Sequence, residues 1–260
     1  MSLVRLDKFL ADSGLGTRSQ AKLLIKKGLL SVNGAPALRP EQKVDPEADE
    51  IFCDGRLLSH SSLHYYMLHK PAGYVSATDD PTAPTVLSLL KGAPGRGLFP
   101  VGRLDKDTEG LLLITDDGPL AHRLLSPRHH VDKVYLVKAD GAVTDDDLAW
   151  LRTGVDIGEK APTLPAGAKL LSLEAENNRP VSFVELTIHE GKFHQVKRMF
   201  QVIGKPVLFL KRLSMGSLTL DDSLAPGAFR PLTEEEIVAL KHPKSPLQSN
   251  CSEGKRKGSD

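Results

Sequence analysis

Apolar positions near the start of the chain recur at helical spacing: Leu6, Phe9 and Leu10 fall at i, i+3, i+4, and Ala21, Leu24 and Ile25 repeat the pattern. Thr17 followed by Gln20 has capping-box spacing, so a second helix is expected to start there and end at Gly28. LLSVNGAPAL then reads as a strand and a turn on Asn33-Gly34. Residues 41–62, acidic and then rich in Ser and His, read as one closing strand and a linker. From Tyr65 the pattern shortens. YYMLHKP, GLFPVGRLD and GLLLITDDG are apolar runs bounded by Gly, Pro or Asp and are expected to be strands. PLAHRLLS, TDDDLAWLRTG with Thr144 as cap, FHQVKRMFQVIG ending at Gly204, and TEEEIVALK with Thr233 as cap are expected to be helices. The strands do not alternate with helices as βαβ units do. An α+β fold with a mixed, largely antiparallel sheet is therefore expected. The expected organisation is a small domain over 1–60, a linker over 61–64, a larger domain over 65–240 and a disordered, aperiodic tail over 241–260.

Composition changes this picture in two ways. Hydrophobic and charged contents of 40% and 26% are ordinary for globular proteins, and no stretch approaches the roughly 18 apolar residues of a membrane span. MSLVRLDKFLADSG carries charges through its apolar positions and no secretory h-region, so a cytoplasmic protein without membrane contact is expected. Cys53 and Cys251 have no spacing that suggests a zinc site or a disulfide framework. The net charge of +1 conceals a segregation. Arg5, Lys8, Arg18, Lys22, Lys26, Lys27 and Arg39 face only Asp7 and Asp12 in the first forty residues. A second basic run, Lys192, Lys197, Arg198, Lys205, Lys211 and Arg212, has no acidic residue between Gly191 and Arg212. Two such regions in a near-neutral chain favour a polyanion as partner. Arg18, Lys22 and Lys26 at i, i+4, i+8 line one face of the second helix, away from its apolar pairs, and are placed to meet a phosphate backbone.

The segment with the most chemical promise is VGRLDKDTEGLLLITDDG, in which Asp105 sits in a turn at the end of one apolar strand and before another. Alone, an aspartate there is a turn former. His129, His130, His189 and His194 lack Cys or carboxylate partners at ligand spacing, so no metal is expected. Asp79, Asp80, Asp116 and Asp117 stand in turn contexts, and Gly92 to Gly97 read as a flexible loop.

Two strings change the weight of Asp105. RLDKFLADSGLGTRSQAKLLIKKGLLSVNG resembles the S4 RNA-binding domain, and GRLD followed by KDTEGLLL resembles motif II of the pseudouridine synthases related to the small-subunit ribosomal enzyme RsuA. Three further segments match that family in order: HKPAGY its KPxG motif, SPRHHVDKVYLV its KxY segment, and EGKFHQVKRMF its third motif. His69, where the family usually has Asn or Tyr, is a departure that touches no catalytic position. The resemblance implies that Asp105 is the catalytic carboxylate and that Tyr135 stacks on the target base. It implies a basic partner for Asp105 from the third motif, Lys197 or Arg198, with Lys197 favoured. A cation beside a carboxylate favours its charged form, which both suggested roles of Asp105 need: nucleophile at C1′, or base at C2′. Arg103 would occupy the space left by the flipped base or grip a phosphate. Lys70, with Arg5, Lys8, Arg18, Lys22, Lys26 and Lys27, is expected to contact RNA. The reaction needs no cofactor, because uridine and pseudouridine have the same atoms.

TDDPTAPTVLSLL, ITDDG and SPRHH resemble the small-subunit branch of the family, so 16S ribosomal RNA is the expected substrate. It would be met within a small-subunit assembly intermediate by a monomeric enzyme. The alternatives are the same reaction on 23S, large-subunit RNA, or an RNA-binding assembly factor without catalysis.

Overall fold

The computed structural model describes residues 3–242 except 14, 47, 59–62 and 96. Most of the expected tail, and part of the expected linker, lie outside the described residues. The chain divides into two compact units, 1–63 and 64–260, each with its own core.

The first unit contains β1 (Val4–Arg5), α1 (Leu6–Asp12), α2 (Arg18–Lys26), β2 (Leu30–Val32), β3 (Ala35–Pro36), β4 (Lys43–Val44), β5 (Ile51–Cys53) and β6 (Arg56–Leu58). Thr17 accepts from the Gln20 backbone and the Gln20 side chain accepts from the Thr17 backbone, so the expected capping box forms. Leu6, Phe9 and Leu10 of α1 and Ala21 and Ile25 of α2 close on Leu30, Val32 and Ile51. Arg18, Lys22 and Lys26 are left exposed on the other side of α2. The stretch from 41 holds more than one closing strand. β4 pairs with β1, and β5 and β6 form a hairpin in a sheet ordered β3-β2-β5-β6. These strands are too short to show a period of two, but Asp54-Gly55, at φ +50 and +72, is the turn signal that marks the hairpin.

The second unit contains β7 (Tyr65–Lys70), β8 (Phe99–Pro100), β9 (Glu109–Thr115), α3 (Gly118–Leu125), β10 (Lys133–Asp140), α4 (Asp145–Thr153), β11 (Gly167–Glu176), β12 (Arg179–Ile188), α5 (Gln195–Val202), β13 (Val207–Met215), β14 (Leu218–Thr219), β15 (Phe229–Pro231) and α6 (Glu234–Lys241). Among the described residues its nine strands form one sheet, ordered β11-β12-β10-β13-β9-β7-β15, with β8 on β9 and β14 on β13. Every strand pairing is antiparallel except β9 with β13, which makes the sheet mixed.

β7 and β9 read as unbroken apolar runs because both of their faces are covered. Tyr66, Leu68, Leu112 and Ile114 enter one core with Leu148 and Leu151 of α4 and Met199 and Phe200 of α5. Tyr65, Met67, Leu111 and Leu113 enter another with Leu120 and Leu124 of α3 and Leu240 of α6. β10 instead alternates, burying Lys133, Tyr135, Val137 and Ala139. The parallel contact sets Gly110 beside Arg212. Gly110 lies at φ +102, and a Cβ there would strike the Arg212 backbone, so only glycine permits this approach. It joins β9 to the β10–β13 half of the sheet and so fixes where the preceding loop, which carries Asp105, emerges.

No helix among the described residues is long and apolar enough to cross a membrane.

Candidate active site

The expected strand GLFPVGRLD ends early, at Pro100, and Gly102 at φ +80 turns the chain into a loop that runs to β9. Three elements hold this loop. The Ser76 hydroxyl accepts from the Leu104 amide and donates to the Leu104 carbonyl, each at 3.0 Å. The Gly73 amide donates to the Lys106 carbonyl at 2.7 Å, and the Thr108 amide to the Asp105 carbonyl at 3.0 Å. The Lys70 ammonium donates to the carbonyls of Pro71, Lys106 and Thr108 at 3.1, 3.2 and 2.7 Å. HKPAGYVS therefore acts as the bed on which the Asp105 backbone rests.

Lys70 was expected to touch RNA, and its position corrects that expectation. Its side chain is fully buried, with the charge answered by carbonyl oxygens instead of phosphates. Burial pushes the ammonium down to about 8, against an ordinary 10.5. Between those values the unfolded chain holds a proton that the folded chain has shed, so this group's contribution to stability rises with pH across that window. The rise is up to about 3 kcal/mol. Urea unfolding at pH 7 to 10 is expected to show this slope in the wild type and to lose it in Lys70→Met; parallel curves for the two proteins would refute the assignment.

Asp105 opens into a cleft of about 430 Å³, a volume that includes the open solvent at its mouth. Its walls are apolar, from Leu104, Tyr135, Ile188, Val196 and Leu210, and its polar groups come from Arg103, Asp105, Thr108, Lys192, His194 and Gln195. The Asp105 carboxylate is 25% exposed, accessible to a bound molecule yet partly shielded. Lys197 Nζ lies 3.4 Å from its Oδ2, and His194 Nε2 lies 3.5 Å from its Oδ1. The N-terminal end of α5 is thus beside the carboxylate. Lys197 also holds Asp107 Oδ1 at 2.5 Å, and this hydrogen bond keeps the Asp107 carboxyl below the usual carboxylate range.

Asp105, Arg103 and Tyr135 therefore share one cleft, and Lys197 is the third-motif cation that reaches Asp105. Arg198 points elsewhere, to Glu159 at 2.7 Å, the Phe193 carbonyl at 3.1 Å and the Ile157 carbonyl. Arg5 makes a two-pronged contact with Asp7, at 3.0 Å for each bond, while Lys27 is exposed and Lys8 half-buried. Sequence reading passed over His194 and Asp107 as neighbours of the site. His194 precedes α5 as its N-cap with a left-handed backbone, so helical spacing from Lys197 does not announce it. The turn carboxylates have local duties: Asp117 caps α3 and accepts from Tyr65, Asp116 holds His64, and Asp80 accepts from the Thr82 and Ala83 amides.

A carboxylate paired with a lysine at an apolar cleft, in a chain that also carries a small unit with exposed basic residues, suits an enzyme that works on RNA. Residues 64–202 match the family described as RNA pseudouridylate synthase, and residues 4–51 match the S4 domain. The chain belongs to the RNA pseudouridylate synthase family. It is 45% identical over 243 residues, 93% of this chain and 100% of the relative, to a Bacillus subtilis protein described as an uncharacterized RNA pseudouridine synthase, YtzG. It is 43% identical over 238 residues, 91% of this chain and 100% of the relative, to ribosomal small subunit pseudouridine synthase A of Escherichia coli. A crystal structure of a pseudouridylate synthase, 40% identical, superposes over 91% of this chain and 99% of that one with a TM-score of 0.61.

Proposed function

We propose that this chain isomerises one uridine of 16S, small-subunit ribosomal RNA to pseudouridine, with Asp105 as the catalytic carboxylate. The observation that carries the reading is the Asp105 carboxylate, paired with Lys197 at 3.4 Å, in a cleft walled by Tyr135. The N1–C1′ bond breaks, the uracil turns, and a C5–C1′ bond forms. C5 loses its proton and N1 gains one, so the atoms balance without a cofactor. The target must leave the stack to reach a recessed carboxylate, and the Tyr135 ring offers the flipped uracil an aromatic wall. Lys197, 3.4 Å away, faces the Asp105 carboxylate and keeps it aimed. Arg103, also at the cleft, fills the gap left by the base or grips a phosphate. Arg198 supports the site indirectly through its contacts with the loop at Ile157 and Glu159.

Support for a small-subunit substrate comes from the Escherichia coli relative, which carries that substrate in its name and matches along its whole length. The enzyme works as a cytoplasmic monomer on an assembly intermediate, where the uridine is still reachable. Mapping by carbodiimide-blocked primer extension is expected to find one new stop in small-subunit RNA treated with the protein. A stop confined to large-subunit RNA would reassign the substrate.

The first unit anchors the RNA through Arg18, Lys22 and Lys26, with Lys8 and Lys27 nearby in sequence and Arg5 held by Asp7. Each phosphate contact contributes roughly 0.7 to 0.9 to the slope of log affinity against log salt. Replacing Arg18, Lys22 and Lys26 together with Gln is expected to flatten that slope by about 2 and to weaken binding at least tenfold at low salt. Since all three side chains are exposed, the fold should be untouched. An unchanged salt slope would remove α2 from the RNA interface.

A further inference from the structure

Beside the cleft is a feature that the proposed reaction does not use. Phe193 is 64% exposed, although it lies between Lys192 and His194, both of which line the cleft. Its ring is stacked on the His194 imidazole, with centroids 3.8 Å apart and planes 20° from parallel. His194 in turn reaches Asp105 at 3.5 Å. Phe193 is thus one ring layer further out from the catalytic carboxylate.

An exposed aromatic on a loose loop would carry little meaning, but this turn is pinned. The Lys192 amide donates to Gln195 Oε1 at 2.9 Å, and the Gln195 amide donates to the Lys192 carbonyl at 3.2 Å. Gln195 Nε2 is tied to Glu190 at 3.1 Å, and Lys192 Nζ to the carbonyls of Ala161 and Pro162 at 2.9 and 2.7 Å. Arg198 holds the Phe193 carbonyl. His194 sits in the left-handed region at φ +48, a conformation that surrounding contacts must support in a residue other than glycine. The turn is therefore built to present an aromatic ring outward, where little side-chain entropy remains to be lost on binding.

We propose that Phe193, backed by His194, is a stacking platform for the unpaired base next to the target uridine. This rests on the reading of the cleft as the uridine site. Flipping one nucleotide leaves its neighbour without a stacking partner, and single-stranded bases are commonly received on aromatic rings set among cations. Phe193 belongs in sequence to the basic run that begins at Lys192, its ring is largely exposed, and among the described residues His194 is its only ring partner. Stacking accepts every base, so the platform contributes affinity and register more than sequence preference. Phe193 touches none of the reacting atoms and acts by positioning.

The test compares wild type, Phe193→Ala, Phe193→Leu and Phe193→Trp on protein-free small-subunit RNA, reading RNA affinity by filter binding and pseudouridine formation under single turnover. Ala and Leu are expected to weaken RNA binding about tenfold, with the rate at saturating RNA within about twofold of wild type, and Trp is expected to restore affinity. RNA with an abasic residue beside the mapped uridine should cost the wild type the same factor and cost Phe193→Ala nothing further. Wild-type affinity in the Ala variant, equal losses in all three variants, or, in a parallel assay on protein-containing particles, a loss confined to those particles would overturn the platform. The last result would assign Phe193 to a protein contact. Failure of the wild type to form pseudouridine would overturn the reading of the cleft instead, and the affinity measurements would still decide whether Phe193 receives a base.

Discussion

Asp105→Asn is expected to lower the rate of pseudouridine formation by roughly 10³-fold or more while RNA affinity stays within about twofold. The substitution replaces one oxygen by an amide nitrogen of nearly the same size, so the loop held by Ser76, Gly73 and Lys70 has no reason to move. Lys197 keeps Asp107 as a partner. What disappears is the anion, and with it the capacity to attack C1′ or to take a proton from C2′. Affinity is set elsewhere, chiefly by cations meeting phosphates. A variant that lost binding and rate in the same proportion would make Asp105 a structural or binding residue.

Lys197→Met should lower the single-turnover rate by roughly 10²-fold, with a smaller effect on RNA affinity. Its Nζ is the lysine nitrogen within ion-pair reach of Asp105. Removing it takes away the ammonium that orients one carboxylate oxygen and leaves the His194 ring at the other. Arg at this position keeps a cation and should recover much of the rate. Lys197→Met should also release Asp107, whose carboxyl would return toward the ordinary range, a change that NMR titration can read. Equal rates for wild type and Lys197→Met would mean that the ion pair is not part of the chemistry.

How far these features were legible in the sequence depends on the kind of signal each residue leaves. α2 was readable because its cap is local: Thr17 and Gln20 satisfy each other within one turn. β7 and β9 were readable as apolar runs because both faces are buried. β11 to β13 were not anticipated. β11 and β12 mix exposed charges and apolar residues, and their turn, Asn177-Asn178 at φ +50 and +60, lacks the glycine that usually announces a hairpin.

The site divides in the same way. Asp105, Tyr135 and Lys197 stand out through resemblance, and the fold brings Asp105 and Tyr135 to one cleft with Lys197 beside the carboxylate, although bare spacing gives no reason for it. Lys197 and Arg198 are adjacent in sequence, but successive helical residues point about 100° apart. Only one of them can face Asp105. Lys70 misled because a lysine normally stays in water, and only the three-dimensional convergence of three carbonyls makes its burial tolerable. His194 lacks Cys or carboxylate partners at ligand spacing in the sequence, and its contact with Asp105 depends on a left-handed backbone that sequence does not announce.

The most direct measurement is release of tritium from small-subunit RNA labelled at uridine C5, followed for wild type and Asp105→Asn side by side. C5 must give up its hydrogen whenever it becomes the new attachment to C1′, so release counts completed isomerisations. If Asp105 is the catalytic carboxylate, the wild type releases tritium stoichiometrically, one for each mapped uridine, and Asp105→Asn releases none above background. Release by both proteins at comparable rates would contradict it.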